Sequence, residues 1–170
     1  MSDGLPVDAI ALREEVKSKY RAVAVDPHGG YHFHIGRPLA RRLGYDWAVV
    51  AALPDSAVEA FAGVGNPFSL GVLWPGERII DLGSGGGFDC FIAAGQVGSE
   101  GHVVGVDMTE EMLDRSRAAA AATDLRNVEF RKARSRICRL SRGGPTLRSA
   151  TALSICAPTS AKSLRRLCAC

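Results

Sequence analysis

The stretch IIDLGSGGGFD at residues 79–89 constrains the fold more than any other part of the chain. Two isoleucines lead into Asp81, and glycines stand at 83, 85, 86 and 87. β-Branched residues favour a buried strand, and glycines permit turns and close approaches that a side chain would block. An apolar segment at 88–97 has the spacing of a helix and is closed by Gly98. Strand, glycine turn and helix in this order open a parallel α/β unit. There a ligand meets bare backbone and the unpaired N–H groups of a helix N-terminus.

The same pattern continues downstream. Residues 102–107, with three valines, predict a second strand. Thr109 predicts an N-cap, and Glu110 and Glu111 suit the first turn of a helix running to about Ala122. Residues 127–131 predict a third strand. Alternating strands and helices specify an α/β fold with right-handed crossovers. Upstream, Ile10, Val16, Tyr20 and Val23 mark an amphipathic helix over 8–24. Short helices are expected around 38–44 and 55–62, the second between Pro54-Asp55 and Gly63. DPHGGYHFHIGRP, GVGNPF and WPGE read as loops and turns. The chain therefore divides into N-terminal helices and a lid at 1–74, a core at 75–133 and a remainder at 134–170.

Asp107 ends the second strand, 22 residues beyond Gly85. A carboxylate there can accept both hydroxyls of an adenosine ribose, so the pair points to a nucleoside-type cofactor. The dinucleotide pattern G-x-G-x-x-G calls for a small residue at 88, where Phe88 stands; the chain instead shows Asp81-x-Gly83-x-Gly85-x-Gly87. That spacing resembles motif I of the class I S-adenosylmethionine (SAM) methyltransferases, and VVGVDMT resembles their motif II. The resemblance implies a Rossmann-like sheet with an N-terminal helical lid, cut off after about the third strand. It implies SAM as cofactor and a small-molecule methyl acceptor, with no nucleic acid or membrane partner. Carried over by position, Gly83, Ser84 and Gly85 line SAM, with Gly87 in the same motif. Asp107 binds ribose, Met108 packs on adenine, and Asp81 helps hold the methionine ammonium.

The likeness narrows further. GVGNPFSLGVLWPGERIIDLGSGGGFDCFIAA, GHVVGVDMTEEML and NVEF are similar to the arsenite methyltransferase group and its relatives, over about residues 55–131. That group carries arsenic on cysteine thiolates, one of them in GCGNP. Here the loop reads Gly63-Val64-Gly65-Asn66-Pro67. A valine cannot ligate arsenic, so the expected acceptor is a small organic molecule rather than arsenite. The residues present do not name a catalytic base, because the acceptor side expected of such an enzyme is largely missing.

The net charge of +3 hides an uneven chain. Residues 1–133 hold 13 Lys/Arg and all 18 Asp/Glu, net −5; residues 134–170 hold 8 Lys/Arg and no acid, net +8. Four of the five cysteines, at 138, 156, 168 and 170, lie in the second part. A basic tail can bind nucleic acid, but these arginines are scattered and no aromatic residue lies among them for base stacking. Cys168-x-Cys170 lacks a second ligand pair, so no metal site is expected. A reading-frame slip accounts for the tail. ICAPTSAKSLRR can be back-translated so that reading one base earlier gives NLCADKRKVFAE, with acids and an aromatic restored. The tail is thus expected to be out of frame from about residues 132–134, with a genuine basic, cysteine-rich extension as the alternative.

His32-x-His34 is either a ligand or base pair or, with no third ligand in the pattern, two loop histidines. Cys90, one turn into the helix after the glycines, is expected to be a buried small apolar residue. No apolar run approaches a membrane span and no signal-peptide pattern opens the chain, so a cytoplasmic location is expected. Three functions stay open: a SAM-dependent methyltransferase, a SAM-binding fragment without turnover, and a basic-tailed nucleic-acid-binding protein.

Overall fold

The computed structural model describes residues 9–27, 29–31, 34–132 and 146–147. Its sheet starts with β1 (Arg78–Leu82), whose Ile79, Ile80 and Asp81 are buried. The glycine turn leads into α5 (Phe88–Val97), a helix buried on most of its surface. β2 (His102–Asp107), α6 (Glu110–Ala121) and β3 (Val128–Lys132) follow. β2 pairs in parallel with both β1 and β3. A two-residue strand, β4 (Thr146–Leu147), pairs in parallel with Ile79 and Ile80 on the other edge of β1. The order is β3-β2-β1-β4, so strand placement reverses direction beside β1. In open α/β sheets ligands bind at the carboxyl ends of the strands where that reversal occurs.

The main core lies between α5 and the sheet. Phe91, Val97, Val103 and Leu113 are each at most 1% exposed, and Phe91 meets Phe130 of β3 at a ring separation of 5.7 Å. Burying side chains of this size stabilises the fold by about 1.5–3 kcal/mol each.

The N-terminal helices are α1 (Ala9–Val25), α2 (Gly36–Arg42), α3 (Trp47–Ala52) and α4 (Asp55–Val58), with a 3₁₀ turn at Pro67–Leu70. They are tied to the sheet layer by Arg115 of α6. Its guanidinium donates to Ser56 O, Ala24 O and Glu59 Oε2 at 2.9, 3.1 and 2.8 Å, joining α1, α4 and α6.

Several sequence expectations shift. The helix expected over 55–62 ends at Val58, because Phe61 N–H turns back to Val58 O. α3 had no clear signal, since WAVVAA is apolar throughout; Asp46 caps it by accepting from Ala48 N–H at 2.9 Å. Val16 is 36% exposed and leaves the expected stripe, whereas Val23 is buried as expected and, with Ala24 and the adjoining Tyr20, packs onto Ala60 and Met112. The third strand starts one residue later than expected. Thr109 stands at the N-cap of α6, but its side chain makes no cap bond; Asp107 accepts from its N–H instead. Among the described residues, no helix is long and apolar enough to cross a membrane.

Candidate functional site

The site is built first from backbone. The N–H groups of Gly83 and Ser84 both donate to Val106 O, at 2.7 and 3.1 Å, pressing the turn against the end of β2. Gly83, Gly85 and Gly87 have φ of 87°, 52° and 89°, a left-handed region that costs other residues about 1–2 kcal/mol each. Gly85 N–H donates to Asp107 Oδ2 at 3.0 Å, and Thr109 N–H donates to Asp107 Oδ1 at 2.8 Å. One carboxylate thus joins the glycine turn to the start of α6. A carboxylate offers about four acceptor sites, and these two N–H groups take about half of them.

The glycines do different jobs. A Cβ on Gly85 would meet nothing within 4 Å. A Cβ on Gly87 would lie 2.7 Å from Phe130 Cζ and 3.0 Å from Phe91 Cε2. Gly85 therefore presents open backbone, and Gly87 is required by the core beneath α5. Ser84 is 8% exposed, and its Oγ has no hydrogen-bond partner among the described residues. A buried hydroxyl left in that state costs about 1–3 kcal/mol, so the turn suits a ligand with a polar atom to offer.

Asp81 is buried at the end of β1 and accepts from the Cys90 thiol at 3.4 Å. Burial, and next the Asp81 charge, push the thiol pKa well up, so Cys90 stays S–H and is no nucleophile. It is buried as expected, with a polar contact the sequence did not signal. Met108 is half-buried directly after Asp107. His34 is exposed, and His32 lies outside the described residues, as do the four tail cysteines. Among the described residues, no group of three or more His, Cys, Asp or Glu could hold a metal ion.

Beside Asp81 a cleft opens, with about 360 Å³ of empty space continuous with solvent. Pro67, Phe68, Gly71 and Leu73 form one wall; Ile79, Asp81, Asp89, Cys90 and Ala93 form the other. Tyr45 links the two sides: its Oη is 2.8 Å from Asp89 Oδ1 and 3.0 Å from Gly65 O. Asn66 Nδ2 adds a bond to Gly44 O at 3.1 Å. Burial, reinforced by the Asp81 charge, holds the Asp89 pKa well above the usual carboxylate range, although the Tyr45 hydrogen bond pulls it down. The Tyr45 pKa is raised by burial and next by Asp89, so the phenol keeps its proton. Sequence reasoning gave neither Tyr45 nor Asp89 a role. The available signal was an acid in the first turn of the helix after the glycines, one that the glycine turn does not use.

A methyltransferase domain family matches residues 73–136. The chain is similar to the arsenite methyltransferase of Halobacterium salinarum, 52% identical over 92 residues that cover 54% of this chain and 23% of that protein. It is also similar to the aklanonic acid methyltransferase DauC of a Streptomyces species, 43% identical over 55 residues, 32% of this chain and 25% of that one. Among solved structures, it resembles an arsenic(III) S-adenosylmethionine methyltransferase from Chlamydomonas reinhardtii with 35% identity and a TM-score of 0.47. That match covers 52% of this chain and 31% of the other. The matched stretches are thus about a quarter of the length of these two curated relatives. Residues 73–136, with the glycine turn and Asp107 among them, match a methyltransferase domain and are close in sequence to the arsenite methyltransferases.

Proposed function

We propose that residues 81–108 hold SAM and that the enzyme this chain represents transfers its methyl group to a small organic acceptor rather than to arsenite. The observation that carries the cofactor reading is the open face of Gly85 with the Asp107 carboxylate 3.0 Å from its N–H. Gly83 and Gly85 supply bare backbone, and Ser84 Oγ supplies a buried polar atom. Asp107 accepts the ribose hydroxyls with the acceptor sites its two backbone bonds leave over. Met108 packs on adenine, and Asp81 holds the ammonium end. Gly87 contributes indirectly, by letting the first turn of α5 sit on Phe130. When bound, SAM supplies a methyl group on a positively charged sulfur. The protein's part is to position that methyl and exclude water, the usual source of rate in such transfers.

The acceptor reading rests on Val64. It is 67% exposed in the loop ahead of Pro67, where the arsenite methyltransferase loop GCGNP has a cysteine. Among the described residues the one free cysteine is Cys90, buried and protonated. Trivalent arsenic needs soft thiolates, and this loop offers none. DauC, named for an organic acid substrate, supports the organic alternative. Labelled SAM offered with arsenite under reducing conditions, and separately with a panel of hydroxylated aromatic acids, tests the choice. Methylarsenite formed faster than any organic product would return arsenite to first place.

A second reading, a SAM-binding chain without turnover, is favoured by the remainder from about residue 133. It holds 8 basic residues and no acid, and the family match stops at 136. We infer that this remainder is read out of frame, and the sequence of the coding DNA decides that directly. SAM binding without methyl transfer to any acceptor in the panel would establish the second reading.

A further inference from the structure

The cleft beside the glycine turn is bridged by a hydroxyl that is short of protons. Tyr45 is 7% exposed, and its ring is wedged edge-on against Phe61, Phe68 and Phe88 at centroid distances of 5.4, 6.2 and 5.0 Å. The hydroxyl cannot swing away without breaking these contacts. It stands 3.0 Å from Gly65 O and 2.8 Å from Asp89 Oδ1, and both are hydrogen-bonding distances. Two such contacts need two protons. The phenol supplies one, and a backbone carbonyl supplies none. The phenol can aim its proton at either oxygen, and the second proton can come from the Asp89 carboxyl. In its acid form Asp89 O–H donates to Tyr45 Oη, and Tyr45 O–H donates to Gly65 O. In its ionised form, one of the two contacts becomes a pair of facing lone pairs in a poorly solvated place.

The balance of the groups acting on Asp89 agrees with this count. Asp81 faces it from β1 with a like charge, Tyr45 faces it from ahead of α3, and Cys90 beside it on α5 carries a neutral thiol. The N-terminus of α5 and a hydrogen bond donated by Tyr45 favour an anion, but burial and Asp81 outweigh them, and the Asp89 pKa is held well above the usual carboxylate range. Gly65 stands two residues before Pro67, which opens the outer wall of the cleft, and Asp89 belongs to the inner wall. The two oxygens that the phenol joins are therefore one from each side.

We propose that Tyr45 and a neutral Asp89 form a proton-held clasp that sets the width of the cleft between residues 65–73 and the β1–α5 edge, making both of them positioning residues for the ligand that enters there. When Asp89 ionises, its proton goes to solvent, the clasp keeps one bond of two, and the outer wall loosens. The clasp is made by residues of this chain alone, whichever cofactor or acceptor is bound.

The test uses the full 170-residue chain labelled with ¹³C and ¹⁵N, with the Asp89 carboxyl assigned through its own backbone. At about pH 6, where an ordinary aspartate is ionised, the Asp89 carboxyl carbon should resonate at the acid position. As pH rises through the Asp89 transition, amide exchange at residues 65–69 should speed up by about tenfold beyond intrinsic base catalysis, the scale of one lost hydrogen bond. Asp89→Asn, a permanently neutral donor, should keep exchange slow and remove that extra pH dependence. Tyr45→Phe should give fast exchange at every pH. An ionised Asp89 at pH 6 in the wild-type chain would overturn the proposal, and that measurement needs no variant to fold. Extra pH dependence that persists in Asp89→Asn would overturn it as well.

Discussion

The glycine turn and the cleft wall both abut the first turn of α5, yet different kinds of bond hold them. In the glycine turn the donors are backbone N–H groups: Gly83 and Ser84 to Val106 O, Gly85 to Asp107. The partners lie on adjacent parallel strands, so the register of β1 against β2 places them together. In the cleft wall the links are side chains spanning 20 to 44 residues: Tyr45 to Gly65 and Asp89, Asn66 to Gly44. Register sets the first region, whereas the second depends on aromatic packing around Tyr45. The first should therefore yield to backbone changes and the second to proton and side-chain changes.

The largest effect should come from Gly87, where the turn meets the core. Gly87→Ala brings a Cβ to 2.7 Å from Phe130 and forces a positive φ on alanine. A loss of about 2–4 kcal/mol of stability is expected from overpacking and backbone strain together. Urea unfolding checks it, and an unchanged midpoint would mean that the turn is not packed as described. Next is Asp107→Ala, which removes the proposed ribose acceptor and frees the Gly85 and Thr109 N–H groups. SAM affinity should fall by about 1.5–3 kcal/mol, roughly ten- to a hundredfold, in calorimetry. Equal affinity in both proteins would sink the assignment of Asp107.

Gly85→Ala separates the two glycines most directly. Its Cβ meets no protein atom, so stability should drop only by the strain of its positive φ, about 1–2 kcal/mol. SAM binding should drop further than that strain explains, because the new methyl stands where the proposed site places the ligand. If binding is kept while stability falls, the open face belongs to solvent and not to the cofactor.

The smallest expected effect is a slope. The folded chain favours the acid form of Asp89, so its pKa stands above the unfolded value. The stability this contributes is complete below the ordinary carboxylate range and is lost as pH rises through the raised value. Thermal unfolding of wild type and Asp89→Asn across that range should show the wild type losing stability relative to the variant as pH increases. Parallel curves would contradict a neutral Asp89.

The strand–turn–helix unit was legible in the sequence because its determinants are local. Ile79 and Ile80, the glycines and the valines of 103–106 act through backbone preference and periodicity, which a sequence displays directly. The Asp107 position was legible too, since a parallel crossover of ordinary length brings the end of β2 beside the turn. The short helix at 47–52 and the early end of α4 were not legible. WAVVAA has no polar face to set its period, and the turn at Phe61 depends on what it packs against.

What the sequence determined by itself was the α/β unit and the place where backbone lies bare, because backbone geometry repeats with each residue. Only the tertiary structure decided which glycine presents open backbone and which faces Phe130, since both have positive φ and differ only in what lies above them. It alone brought Tyr45 within 2.8 Å of Asp89 across 44 residues. That contact and the protonation state it implies arise from burial and a neighbouring charge, and neither is a property of any short stretch of chain.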